Sequence, residues 1–469
     1  MERLRYGRVV GGVLFVFATV LLSGCGFKSS GPEKYQVSLE IWGVFDDSDA
    51  YTQAIADYRK INPYVKDIQY RKLSPETYKE DLINAFASGK GPDIFMIRNS
   101  WRAPFEDKIA PAPSTLLTER EYRAALVDVA ASDFIGTENK IYGIPLSVDS
   151  LALYYNKDLF NAAGISQAPT TWDEVSADVR RLISIDQFGT ITRSGIALGT
   201  GANINRASDV LTALMLQLGS DLGGARSPGS NNNSNLNSPP ALQAFDFYTK
   251  FSRIGSGDYT WNARQHYSID AFYEGTAAMM INYSWQYETL KQKNAKLNIG
   301  VAPLPQFNKD APVNLANYWG YAVSKEKGNQ GRANQSLVSD GEKQNALRVF
   351  ESWQFLKFFA LQGEKKSLTL VNGLSGTTKD FPLVNDPTKE YLNKTHKPAA
   401  RRDLIAAQQN DIALAPFAYG NLIAKNWYQG SPEAVDGILI DMIDSVVRGE
   451  KSAQDALSVS TNRINLLAR

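Results

Sequence analysis

YQVSLEIWGV, residues 35–44, alternates polar and apolar positions and is rich in β-branched and aromatic side chains, the pattern of a strand. A helix-periodic run follows from Ser48 and stops at Asn62-Pro63, where proline removes an amide donor and turns the preceding residue away from helical geometry. VKDIQYRKL (65–73) reads as a second strand, Pro75 to Ser88 as a second helix ended by Gly89, and PDIFMIR (92–98) as a third, more buried strand. This strand-helix-strand-helix-strand order needs crossover connections, hence parallel pairing and an open α/β sheet. Ligands of such sheets sit beyond the carboxyl ends of the strands. Here those ends are Phe45-Asp46-Asp47 and Arg98-Asn99-Ser100-Trp101, and Val148-Asp149-Ser150 supplies a third polar loop further on.

A second unit follows. DSLALYYNKDLFNAAGI (149–165) runs from strand into helix, and TTWDEVSADVRRLISI (170–185) is a helix with Thr171 as N-cap and Glu174 three residues on, a capping box. SGIALG (194–199) reads as a buried strand, while residues 223–240, rich in Asn, Ser, Gly and Pro, read as a solvated loop. NIGVAPLP (298–305) is a strand ended by prolines. NYWGYAVSK (317–325) is strand-like, with Gly320 marking a bend or a close backbone approach. Amphipathic stretches 345–361 and 433–448 read as helices. Tyr154 and Tyr155 alternate across a buried strand, and Trp42 and Trp172 read as packing residues.

Arg3, Arg5 and Arg8 precede a 14-residue, nearly all-apolar run at 9–22, a signal-peptide layout too short for an ordinary membrane-spanning helix. LLSGC (21–25) ends on the single cysteine of the 469-residue chain and resembles a bacterial lipobox. The expectation is cleavage after residue 24, a lipid on Cys25 and a polar tether over 26–35, with a retained anchor as the alternative. The product would be exported and held at the cell surface or the periplasmic face of a membrane. No internal disulfide is possible.

With 50 Lys and Arg against 49 Asp and Glu, the chain offers no basic field for nucleic acid. Its length exceeds what one core usually covers, so two lobes are expected. His266 and His396 lie far apart without a metal-ligand pattern, and no Ser-nucleophile, phosphate-loop or dinucleotide fingerprint is present. Asp46 and Asp149 could in principle form an acid-base pair, but nothing sets their separation. Neither enzymatic activity, a cofactor nor a metal is expected.

Five stretches in order, YGIPLSVDSLALYYNKDLFNAAGI (142–165), PTTWDEV (169–175), AFYEGTAAMMINYSW (271–285), NIGVAPLPQF (298–307) and YWGYAVSK (318–325), resemble the family 1 extracellular solute-binding proteins of ABC importers, whose best-known branch is the maltose-binding group. The resemblance implies a two-lobed periplasmic-binding-protein (Venus-flytrap) fold of α/β class. Each lobe would be an open, mostly parallel sheet flanked by helices, and each would be discontinuous in sequence. Lobe 1 would take 36–146 and 320–399, and lobe 2 would take 150–317 and 400–469. Hinges would lie near 147–149, 318–321 and 399. The partners it implies are a small solute, an ABC permease with its ATPase, and the membrane through Cys25; a monomer is expected.

Sugar recognition needs flat apolar faces against the C–H side of a pyranose and planar polar groups for its hydroxyls. The resemblance aligns Trp285 with the family's stacking tryptophan and Asp149 with its acidic hinge-strand residue. Further candidates are Asp46 and Asp47 after the first strand, and Arg98, Asn99 and Trp101 after the third. Asn203, Asn205 and Arg206 follow the strand at 194–199, Trp319 flanks Gly320, and Trp427 or Tyr428 would close the cleft. Strand-end aromatics also serve as core filler, and Asp46 or Asp47 could instead cap the helix from Ser48. A sugar is favoured; a polyamine or a glycerol phosphodiester is the alternative on this fold, and a surface carbohydrate-active enzyme or a structural lipoprotein ranks lower.

Overall fold

The computed structural model of the chain describes residues 36–223, 233–327, 338–363, 367–373, 375–382, 385–429 and 431–467. The expected signal segment, Cys25, the expected tether and residues 224–232 of the segment read as a loop lie outside the described residues. Among the described residues no helix is long and apolar enough to cross a membrane.

Strand β1 (Val37–Gly43) pairs in parallel with β2 (Val65–Lys72) on one side and with β3 (Ile94–Arg98) on the other. Helix α1 (Asp49–Ile61) connects the first pair. It carries Asp49 in its first turn and Arg59 and Lys60 in its last, each charge matched to the helix dipole. Neither Asp46 nor Asp47 caps it, because Ser48 holds the N-cap position. Helix α2 (Tyr78–Ala87) starts later than the expected Pro75 and is followed by Gly89 at φ +68°. The strand Trp319–Val323 returns antiparallel on β3. At Gly320 an added Cβ would sit 2.8 Å from the Phe134 ring and 3.2 Å from the Ile144 carbonyl, so the close approach read from the sequence is present.

The second sheet departs from the parallel expectation. Strand β4 (Ala152–Asn156) lies between Met279–Asn282 and Ile299–Pro303 and is antiparallel to both. The chain passes from the first core to the second between Val148 and Leu151, so β4 runs away from that crossing, whereas the flanking strands return toward it with Asn282 and Pro303 opposite Ala152. The segment 194–199 forms no regular strand. It bonds to 276–279 through Ser194 N to Thr276 O and Ala197 N to Met279 O. Gly195 leaves no room for a side chain against the Val179 backbone, and Gly199 turns the chain at φ +114°. The Thr171–Glu174 capping box forms as expected.

Two hydrophobic cores result. One draws on residues 37–148, 316–323 and 347–405, the other on 151–315 and 435–464. Tyr154 and Trp172 lie in the second and Trp42 in the first, all buried. Segment 417–427 serves both: Ala418 and Ala424 join the first core, Phe417 and Trp427 the second. Ala400, Leu404 and Ile405 stay in the first core although the sequence reading ended that lobe at 399. The cause is Arg401, whose buried guanidinium pairs with Asp386, while Val127 N donates to Ala400 O at 3.0 Å.

Candidate ligand cleft between the lobes

Three chain crossings meet where the cores adjoin. Ser147 bridges Ala399, Ser150 bridges Ala316, and Asn317 N donates to Asp149 O. Asn421 ties two of these crossings together, its amide donating to Val148 O at 2.5 Å and to Ala399 O at 3.1 Å. Between the lobes lie a cavity of about 690 Å³ and a smaller one of about 270 Å³. Asn99, Asn426 and Trp427 line both. Arg98 on the first lobe reaches Glu433 on the second at 3.1 Å, beside the smaller cavity.

The sequence-derived candidates separate into two groups. Arg98, Asn99, Arg206 and Trp427 line the cavities. Tyr428 lines the larger one. Trp285 lies outside both linings but is 41% exposed. It stacks on Tyr283 at 4.7 Å, with the Arg206 guanidinium 5.3 Å from its ring. Trp319 is half-buried and meets the exposed Phe45 edge-on at 5.5 Å, forming an aromatic corner at the carboxyl ends of β1 and β3.

The others are committed elsewhere. Asp46 is buried within the first lobe, accepting from Lys397 at 2.6 Å and from Tyr391 at 2.6 Å. Asp47 is exposed and pairs with Lys72. Trp101 is buried, stacked on Phe105 and edge-on to Trp319. Asn203 bonds Trp261, Asn262 and Gln265, and Asn205 bonds Tyr267 and Asn282, so both amides brace the second lobe from inside. Asp149 is 7% exposed, and its two oxygens accept from Ser150 N, Ser284 N and Ser284 Oγ. Burial pushes its carboxyl up to about 7, against those hydrogen bonds and Lys397, which favour the charged form.

The cleft also contains residues the sequence did not single out. Asp133 lines the larger cavity and accepts from Tyr318 OH at 2.7 Å, Asn99 at 3.3 Å and Asn426 at 3.3 Å. Burial raises its carboxyl to about 6, opposed by those three donors. Asp209 lines the smaller cavity and takes the Tyr283 hydroxyl at 3.0 Å. Burial raises it as well, while Arg206 acts the other way. Arg206 begins the helix Ala207–Gln217 in left-handed geometry at φ 66°, uncommon for a non-glycine residue.

Unmet hydrogen-bonding capacity gathers here. Nine buried side-chain polar atoms among the described residues lack a partner. Four of them, Ser100 Oγ, Arg206 Nε, Ser220 Oγ and Trp427 Nε1, belong to residues lining the two cavities. Such orphans are rare in native proteins and call for an explanation. The smaller cavity is lined together by Arg206 and Trp427, whose side-chain N–H groups only donate, and by Asp209 and Asp436, whose ionised carboxylates only accept, although Arg206 Nε and Trp427 Nε1 are themselves covered in this structure.

Comparison with known proteins agrees with this architecture. A putative binding protein of Brucella abortus (strain 2308) is 24% identical over 277 residues, covering 55% of this chain and 64% of the relative. The chain therefore spans a little under two thirds of that curated relative's length. The sn-glycerol-3-phosphate-binding periplasmic protein UgpB of Yersinia pseudotuberculosis is 24% identical over 442 residues, 90% of this chain and 88% of the relative. Among solved structures, the sugar-binding protein MalE of Xanthomonas citri superposes with a TM-score of 0.68 at 17% identity, covering 92% of this chain and 97% of that one, a likeness of fold. The pattern of the bacterial extracellular solute-binding proteins runs through residues 42–366, and the chain belongs to that family.

Proposed function

We propose that this chain is the substrate-binding component of an ABC importer, and that it holds a sugar or oligosaccharide between its lobes. The observation that carries the sugar reading is the mixed lining of the smaller cavity. A hydroxyl accepts from the N–H of Arg206 or Trp427 and donates to Asp209 or Asp436 in the same pose. The anionic, acceptor-only phosphate of a glycerol phosphodiester would meet the two carboxylates, and a donor-only polyamine would leave both N–H groups unmet. The charged lining, Arg98 and Arg206 against Asp209, Glu433 and Asp436, carries one acid in excess, which speaks against an anionic phosphodiester but not against a polyamine.

In this reading Trp285, backed by the buried ring of Tyr283, supplies the stacking face, and Asp133, Asn99, Asn426, Arg206, Asp209 and Trp427 the polar contacts. Asp46, Asp47, Trp101, Asn203 and Asn205 have other partners and are left out. The lobes close because a solute touching both stabilises the closed form over the open one. The closed form then delivers its solute to a permease, without chemical change to the solute. The two acyl chains of a diacylglycerol on Cys25 would hold the monomer near that permease, since one chain alone anchors only marginally.

A thermal-shift screen across neutral sugars, polyamines and phosphodiesters tests the assignment, because a ligand bound only by the native state raises the melting temperature. The largest shift should come from a neutral sugar. Stabilisation by glycerol phosphates alone would replace the sugar reading with the activity named for the Yersinia relative. Mass spectrometry of the mature N-terminus tests the anchor, and a chain starting at an unmodified Met1 would remove it.

A further inference from the structure

Asp149 aligns with a position that the family resemblance assigns to solute hydroxyls, yet its carboxylate is taken up by the protein itself. Oδ1 accepts from Ser150 N at 2.8 Å, and Oδ2 accepts from Ser284 N at 3.0 Å and Ser284 Oγ at 2.6 Å. The side chain lines neither interlobe cavity. Ser284 directly precedes Trp285. The turn 283–285 is held from below by Tyr154 OH, which donates to Tyr283 O at 2.7 Å, and at its ring by Tyr283 OH on Asp209. Asp149 thus grips the turn that carries the Tyr283–Trp285 stack, from the bridged segment 147–150 that crosses between the lobes.

We propose that Asp149 is a positioning residue: through Ser284 it sets the pose of the Trp285 ring, and it does not touch solute. The inference rests on the reading of Trp285 as a solute platform. An ionised carboxylate accepts all three donors at once. A protonated one can keep Ser284 Oγ only by reversing that bond, the hydroxyl then accepting, and its hold on Ser150 N and Ser284 N is no longer charge-assisted, so the turn loosens. The fixed negative charge also lies at the start of the helix Gln286–Lys293, where the helix dipole favours it.

The groups facing Asp149 are Lys397 from the first lobe, itself paired with Asp46, Tyr154 from β4, and Tyr283 from the gripped turn. Burial raises both tyrosines well above their ordinary value, so neither changes charge near neutrality. With the carboxyl near 7, the pose of Trp285 responds to pH across neutrality.

The test uses the full chain without any solute, so it stands or falls separately from the sugar assignment. Of the eight tryptophans only Trp285 is exposed, and six are buried, so acrylamide quenching reads mainly its ring. The Trp285→Phe variant supplies the background to subtract. Subtracted quenching should change on the order of two-fold as pH falls through neutrality. Asp149→Asn should abolish that transition. Ser284→Ala removes a bond that favours the charged form and should move the midpoint upward. No transition in the parent chain, or the same transition surviving in Asp149→Asn and so arising from another group, would overturn the inference. Should Asp149→Asn fail to fold, the direction of the Ser284→Ala midpoint decides.

Discussion

Trp427→Phe separates what an unmet donor costs the free protein from what it contributes to binding. Trp427 is 3% exposed, lines both cavities, and its Nε1 has no hydrogen-bond partner among the described residues. Leaving a buried donor unsatisfied costs about 1–3 kcal/mol. Phenylalanine removes that cost but also some ring contacts, a loss of roughly 1 kcal/mol where one side of the ring faces open space. The solute-free variant should therefore be as stable as the parent or up to about 2 kcal/mol more stable, a rise of no more than a few degrees in melting temperature. Binding should move the other way. One lost hydrogen bond is worth about 0.5–1.5 kcal/mol, so affinity for the sugar found by screening should fall roughly two- to ten-fold. Thermal melts without solute and isothermal titration with it measure the two effects on one protein. A variant destabilised by more than about 2 kcal/mol with unchanged affinity would refute the reasoning, since Nε1 would then already be satisfied in the free state.

Trp285→Ala should weaken sugar binding by on the order of 1–3 kcal/mol through lost stacking, and unchanged affinity in a titration would take the ring out of the site. Glu351 is fully buried with its carboxyl raised to about 6 by desolvation, and Oε1 has no partner among the described residues. Because its folded value lies above the ordinary one, the ionised acid costs stability at neutral and higher pH, and the cost disappears as pH falls below that ordinary value. Glu351→Gln should accordingly be more stable than the parent by up to about 2 kcal/mol in urea melts at pH 8, with the advantage gone at about pH 4. An advantage that persists in acid would contradict the burial argument. Arg98→Ala breaks an interlobe pair whose side chains keep 25% and 58% of their exposure, so the closed fraction without solute should shift by no more than about 1 kcal/mol. Small-angle scattering of a wholly opened variant would show that the pair does far more than its exposure allows.

The parts of the fold legible in the sequence were those with local causes. Asn62-Pro63 ends α1 and Gly89 follows α2 because those residues restrict or free their own backbone. Thr171 and Glu174 cap a helix three residues apart, and Gly320 admits the Phe134 ring. Strand direction in the second sheet was not legible, because it depends on where the chain enters the lobe. Likewise SGIALG has the apolar content of a strand, but Gly195 and Gly199 answer to Val179 and Ser252, distant neighbours that no local pattern reveals. The cleft is assembled in the same long-range way. Asp133, Asp209 and Asn426 come from separate segments and carry no shared spacing, and whether an aspartate is free or consumed, as Asp149 is by Ser284, is settled only when strands far apart in sequence meet.

The first core draws on strands from residues 37–98, on the strand at 319–323 and on residues as late as Ala424. A ribosome at about 5–20 residues per second needs many seconds to deliver the last of these after the first. Until residues 319–323 emerge, β3 lacks its antiparallel neighbour, and until Trp353 emerges it cannot be buried against the carbonyl of Ala110. High contact order slows the search further once the chain is complete. The interrupted lobe therefore works as a timer: its core cannot be completed until residues beyond 400 have emerged.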